Sequence, residues 1–437
     1  VEVQALEKVA RVEFSANNNK VSNIYKPKMK FIKSTNNIMY TIIKPAIIGF
    51  IFMLMIIVGC KKSEIGPENI FTKIYSDSNS DISYYPLDFV ETSSGEYYIL
   101  ASTSIDTTRT WLNTFVMKTD KFGELIWSSP IDLPFVNPVS KIVFSGGNYY
   151  FVCMDAISLS THLLKIDEAS QSAVLVNSYP EILYPLAASK TPDNGILLLN
   201  YDRVTRQSSI NKLDAGFNVS WQTKYFVNED SEEQLIDHLI KTGKNIPFFT
   251  GTIGEGSASY YFANGLSNYT LSLLFVKANG ERSGIAQGFR YDGGAGALLN
   301  MNADNFALAR FNFGEHFILP GTVIDVNSIS NLSDLQGAKL DEIDADAEAR
   351  ILKITIDGKP AHVFATNTNN NQVILYIYDS GTNLLLQKKY LGFAYPVKVA
   401  SIIQTADLGL AILVQTMVTG RFKRISFYKV PKEYLME

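Results

Sequence analysis

The side chains best suited to acid–base or metal chemistry near neutral pH are four histidines, His162, His238, His316 and His362. No two stand at i, i+4 and none lies beside a cysteine, so their spacing builds no zinc site. Strand positions are the expectation for them. His316 stands apart, because Phe313-Gly314-Glu315-His316-Phe317 is the least regular setting and pairs it with Glu315. It is one candidate ligand contact. Asp341, Glu342, Asp344, Asp346 and Glu348 form an acidic cluster whose carboxylates would suit a hard cation. The cluster lacks the glycine of a tight calcium loop, so a solvated loop, or one short helix over 341–350, is expected. Trp111, in Thr107-Thr108-Arg109-Thr110-Trp111, falls in a loop and is the second candidate contact. Trp127 and Trp221 follow similar turns at similar distances and read as packing. Cys153, inside Tyr150-Phe151-Val152-Cys153-Met154, reads as a buried, inert thiol. There is no Gly-x-Ser-x-Gly elbow and no phosphate loop. The chemistry therefore leans away from an enzyme and implies neither cofactor nor metal.

The composition bounds the rest. Of 437 residues, 46% are hydrophobic, 12% aromatic and 19% charged, which implies ordered cores rather than a disordered chain. Two cysteines, Cys60 and Cys153, exclude a disulfide framework. A net charge of −4 argues against a nucleic-acid partner.

Residues 29–60 read as a targeting segment. Lys30, Lys33 and Lys44 form a basic flank, and every residue from Ala46 to Val58 is apolar or glycine. The run is shorter than the roughly 20 residues a membrane-spanning helix needs. It ends in Ile57-Val58-Gly59-Cys60, which resembles the lipobox of bacterial lipoproteins. The resemblance implies cleavage before Cys60, acylation of its sulfur, and attachment to a bilayer. Several acyl chains together give a stable anchor, at about 0.8 kcal/mol per buried methylene. Residues 1–28 read as an upstream extension, 29–59 as the signal peptide and 60–69 as a polar tether. Lys61 stands where an Asp would favour inner-membrane retention, so the resemblance points to the outer membrane.

Residues 70–437 read as a repeat domain. A hairpin of two apolar strands about a polar turn, first seen in Leu87–Thr103, recurs with turns at Gly95, Gly147, Gly195, Gly243, Asn305, Gly358 and Gly409. A period of about fifty residues holding roughly four strands predicts an all-β fold, a β-propeller of seven four-stranded blades. A second hairpin follows the first in most units, but has no clear place in the fifth. The segments from Tyr260 to Tyr269 and from Asn367 to Asn371 read as loops. Ile70–Tyr75 is an orphan strand, expected to join the last blade, Arg424–Val430, and close the ring. An open edge would invite aggregation.

These units resemble a hairpin repeat of Bacteroidetes surface and periplasmic lipoproteins, roughly Q-T-x-D-G-G-Y followed by K-x-D-x-x-G-x-x-x-W. Gln404-Thr405-Ala406-Asp407-Leu408-Gly409-Leu410 follows the first half, with Leu408 and Leu410 departing from it. Lys118, Asp120, Gly123 and Trp127 follow the second half in full; Lys212, Asp214, Gly216 and Trp221 follow it with shifted spacing. Three functions are compatible with this. The first is a monomeric, lipid-anchored binding module of a cell envelope, taking a protein or a glycan without transforming it. The second is an outer-membrane assembly scaffold, since Asp120-x-x-Gly123-x-x-x-Trp127 loosely resembles the repeats of the barrel-assembly propeller lipoprotein. The third is a propeller glycoside hydrolase or lyase. A hydrolase would need two carboxylates within about 5–10 Å of each other.

Overall fold

Polar turns cut the chain into short antiparallel strands, and the resulting sheets are too small to bury both faces alone. The computed structural model describes residues 70–75, 82–104, 111–228, 231–240, 246–254, 257–302, 304–392, 395–418 and 422–436. The expectations for 1–28, 29–59 and 60–69, Cys60 included, lie outside the described residues.

Among the described residues there are six sheets, and the eight-stranded one is two meanders joined at the single pair Asn113↔Val136, so seven meanders follow one another. Blade 1 runs Ser83–Glu91, Tyr97–Ser104, Asn113–Thr119 and Leu125–Pro130; blade 2 runs Phe135–Ser145, Asn148–Asp155, Ser160–Asp167 and Ser172–Leu183. Blade 3 is Pro185–Lys190, Ile196–Asp202, Gln207–Leu213 and Val219–Phe226; blade 4 is Phe249–Ile253, Tyr260–Ser267, Thr270–Lys277 and Arg282–Gln287. Blade 5 is Gly293–Asn302, Asn305–Asn312, Glu315–Val323 and the short Ala338–Lys339; blade 6 is Arg350–Ile356, Lys359–Asn367, Val373–Asp379 and Leu385–Leu391. Blade 7 is Val397–Gln404, Leu410–Thr416 and Arg424–Val430, with Phe71–Tyr75 as its outer strand.

The first strand of each blade packs on the first strand of the next, and Val397–Gln404 packs back on Ser83–Glu91. The described residues from 71 to 430 therefore form a ring, a β-propeller. Apolar clusters fill the spaces between blades, such as Tyr98, Leu100, Trp127, Phe151 and Cys153 between blades 1 and 2. Middle strands are buried on both faces, which is why residues 97–101 and 373–378 read as continuous apolar runs rather than alternating ones.

The seam between blades 7 and 1 is aromatic. Phe427 is fully buried, with ring centroids 5.2 Å from Phe71, 5.2 Å from Phe89 and 4.9 Å from Tyr97, all edge-on. Each such pair contributes about 0.5–1.5 kcal/mol beyond area burial. Phe71–Tyr75 pairs antiparallel with Arg424–Val430, from Phe71↔Lys429 to Tyr75↔Ile425. It also grips blade 1: the Tyr75 hydroxyl donates to the Gly123 carbonyl at 2.9 Å, and Lys73 pairs with Glu124.

The repeat motif has a physical reading. Lys212 and Lys429 are buried, with side chains 4% and 2% exposed, and each needs an anion. The acid of the first turn supplies it: Asp193 lies 2.9 Å from Lys212, and Asp407 lies 2.7 Å from Lys429. The preceding Thr191 and Thr405 hydroxyls donate to those carboxylates. Gly409 is required because a Cβ there would sit 2.4 Å from the Val430 carbonyl. In the second turn, Asp120 accepts from the amides of Phe122 and Glu124, and Asp214 from those of Gly216 and Asn218. These are Asx turns.

Three expectations are corrected. His238-Leu239-Ile240 is the end of a helix, Glu232–Ile240, and not a strand; the turn expected at Gly243 lies outside the described residues, and the first hairpin of blade 4 pairs Phe249–Ile253 with Tyr260–Ser267. Leu235 and Leu239, four apart, bury the helix against the core of blades 3 and 4. Tyr260–Ser267 is a buried strand, not a loop. No helix forms over 341–350. Blade 5 lacks a visible second hairpin because its chain leaves after Val323. It adds Ile329–Asn331 in parallel to Arg282–Gln287 of blade 4, then returns as Ala338–Lys339.

Candidate ligand channel

The first strands of all the blades line a central channel with a cavity of about 390 Å³. Several of these strands are bulged there. Register shifts fall at Leu87 between Pro86 and Asp88, at Leu186 between Pro185 and Ala187, at Gly296 between Ala295 and Ala297, and at Ala400 between Val399 and Ser401. All four residues line the channel. A bulge leaves one residue unpaired and re-aims its neighbours, which is how a sheet edge presents side chains and carbonyls to a site.

One polar group cluster crosses from blade 7 through blade 1 to blade 2. The Asp88 carboxylate, with its side chain 2% exposed, accepts from the Ile142 amide at 2.7 Å, the Ser401 hydroxyl at 2.7 Å and the Lys141 ammonium at 3.1 Å. A second cluster joins blades 6 and 7. Glu348 takes the Arg350 guanidinium at 2.7 Å on one oxygen and the Lys398 ammonium at 2.8 Å on the other. Arg350 Nε donates at 2.6 Å to the carbonyl of the bulged Ala400. Burial pushes the Glu348 carboxyl up, but Lys398 and Arg350 outweigh it and hold the group at about 2. His238, from the helix, lines the same channel; burial lowers it to about 4 against the pull of Glu348, so it is neutral at pH 7. Lys423 lies 4.6 Å over the Tyr85 ring at the channel wall, and burial, then repulsion from Lys398, lower its pKa.

The arrangement sets charged and neutral donors around two carboxylates that are already held. Lys398 and Arg350 hold Glu348 ionised, and Asp88 is buried with its three donors. Lys141, Arg350 and Lys398 supply donors, while Ser140, Thr250 and Gln415 add neutral polar groups to the wall.

Of the residues singled out by sequence, His316 lies on Glu315–Val323 of blade 5 and lines a smaller crevice beside the channel. It donates from Nε2 to the Ala345 carbonyl at 3.2 Å, and burial lowers its pKa. Trp111 is half-buried and meets Tyr184 edge-on at 6.4 Å, among the core packing rather than at the channel. Cys153 is fully buried and its thiol pKa is pushed up by burial. Among the described residues no His, Cys, Asp and Glu cluster could hold a metal ion. The acidic cluster divides: Asp341 and Asp346 are exposed, as a solvated loop requires, but the Glu348 side chain is 13% exposed and built into the channel. Asp88, Lys141, Lys398 and Ser401 were not visible as site residues, since their partners lie on other blades.

The fold and channel define a β-propeller with a polar central cavity. No protein-family model matches the chain, and no curated protein matches it. Among solved structures, it is similar to YCF48 from Cyanidioschyzon merolae at 10% identity and a TM-score of 0.47, covering 82% of this chain and 98% of that one. It is similar to the β-propeller domain of the Trilobed protease from Pyrococcus furiosus, described as having an open velcro topology, at 11% identity and a TM-score of 0.41, covering 79% and 95%. It is also similar to the periplasmic gluconolactonase of Pseudomonas aeruginosa, at 10% identity and a TM-score of 0.44, covering 80% and 97%.

Proposed function

We propose that the protein is a lipid-anchored cell-envelope propeller that binds a protein or glycan ligand through its channel without transforming it. One observation carries the reading: Glu348 of the channel wall, and Asp88 paired with the wall residue Lys141, are each already held by cations and donors, so the wall is a preorganised surface. The lipobox resemblance of Ile57–Cys60 supports the anchor and an outer-membrane address. The test is a screen of envelope glycans and proteins against the full chain and its Lys398→Glu variant. A ligand retained by the wild type and lost by the variant supports the reading. Turnover of a retained glycan would replace it with the hydrolase or lyase.

A second reading, an assembly scaffold, is favoured by the apolar rim. Leu125 and Ile126 of blade 1 and Val174, Leu175 and Val176 of blade 2 are exposed on outer strands that touch each other. Contiguous exposed apolar surface marks protein-interaction sites. That reading requires co-purification with an integral barrel, abolished by Leu175→Lys.

A further inference from the structure

A crevice of about 80 Å³ lies between blades 5 and 6 and shares Pro247, Gly296, Glu348 and Ala349 with the channel wall. Arg310, from the middle strand of blade 5, lines it. Its guanidinium is stacked on the Phe317 ring, 4.0 Å from the centroid. Its Nε is buried and has no hydrogen-bond partner, and no carboxylate pairs with it among the described residues. An arginine stays charged in proteins, and a half-buried one without an anion is costly. The bordering Glu348 does not serve it, because Arg350 and Lys398 already occupy both its oxygens. Asp346 also lines the crevice, exposed to solvent.

We propose that Arg310 receives the carboxylate of a small polar acid whose body occupies the adjoining channel. The stacked guanidinium presents a flat fork, which matches a carboxylate in two parallel hydrogen bonds. The crevice has room for one such group, and the channel cavity, about 390 Å³, has room for a sugar-sized body. Gly296 keeps the shared wall open: a Cβ there would meet nothing nearer than the Ala309 carbonyl at 3.6 Å. A longer side chain at that position would fill space at the wall the crevice shares with the channel.

The inference rests on the channel being a binding surface and names the chemistry it selects. The experiment is calorimetry on the full chain with glucuronate, acetate, glucose and inorganic phosphate as probes. Glucuronate binding above glucose is expected, and acetate binding more weakly than glucuronate shows that the sugar body contributes. Arg310→Met should weaken glucuronate at least about tenfold, as loss of a charged hydrogen-bonding partner does. Arg310→Lys should recover only part of it, and Gly296→Leu should weaken it with Arg310 intact. The melting temperature of Arg310→Met should not fall, because an unpaired desolvated charge is removed. Equal binding by Arg310→Met, equal affinity for glucuronate and glucose, phosphate preferred over both carboxylates, or no probe bound by the wild type would each overturn the proposal. Loss of Arg310 dependence while an envelope glycan still binds through Lys398 would leave the broader channel reading standing.

Discussion

The Ser401 hydroxyl donates to the Asp88 carboxylate across 2.7 Å, tying blade 7 to blade 1 over 313 positions of sequence. The same carboxylate reaches Lys141 and the Ile142 amide of blade 2. Asp88→Ala leaves a buried hydroxyl, an amide and an ammonium without their acceptor. The expected loss is roughly 2–4 kcal/mol, discounted because Lys141 is half-exposed. Chemical denaturation of the variant checks this, and Asp88→Asn should lose less.

The buried lysine of the repeat behaves differently from its partner. Asp407→Ala strands Lys429 with only the Thr405 hydroxyl, at a cost of roughly 2–4 kcal/mol. The double variant Asp407→Leu, Lys429→Met removes both charges and should recover most of that loss. A double-mutant cycle on melting temperature distinguishes the two cases.

How much was legible follows from distance along the chain. The Thr-x-Asp-x-Gly turn and its lysine lie within one blade, so their pattern recurs locally, and blade boundaries could be read from Gly95, Gly195 and Gly409. The Asp88 and Glu348 clusters join strands from different blades, and no spacing in one sequence announces that. The helix Glu232–Ile240 carried a weak signal in Ser231 and Gln234, three apart, followed by Leu235 and Leu239, but it is short. Blade 5 was obscured because its fourth strand, Ala338–Lys339, has only two residues and follows a detour to blade 4.

Acid should weaken the channel wall in two stages. His238 sits at about 4, below its ordinary 6.5, so the unfolded chain binds its proton more readily, and stability is lost as pH falls from 6.5 through 4. Glu348 sits at about 2, below an ordinary 4.5, so its contribution is fully present above 4.5 and is lost as pH falls toward 2. The second stage is on the order of 3 kcal/mol. Stability measured against pH should flatten below 4.5 in Glu348→Gln, and below 6.5 in His238→Gln. Unchanged profiles would contradict these assignments.

The turn at Gly123 holds the closing strand. Its φ is +75°, and a Cβ there would approach Phe71 to 2.7 Å. Gly123→Ala should cost about 1–2 kcal/mol and lower the melting temperature, whereas Gly358→Ala, with φ of +75° but open space around it, should cost less.

The anchor proposed at Cys60 is tested by growth with a palmitate analogue. Label is expected on the wild-type chain and absent from Cys60→Ala; a labelled Cys60→Ala chain excludes lipidation at that sulfur.

Hydrogen exchange at the amides of residues 71–75 tests the ring most directly. Alternate amides of this outer strand bond to Arg424–Val430 within blade 7. They should exchange as slowly as the amides of Arg424–Val430 and be released together with them. Exchange of 71–75 at the rate of an unstructured segment, with 424–430 still protected, would mean that the first strand does not close the propeller.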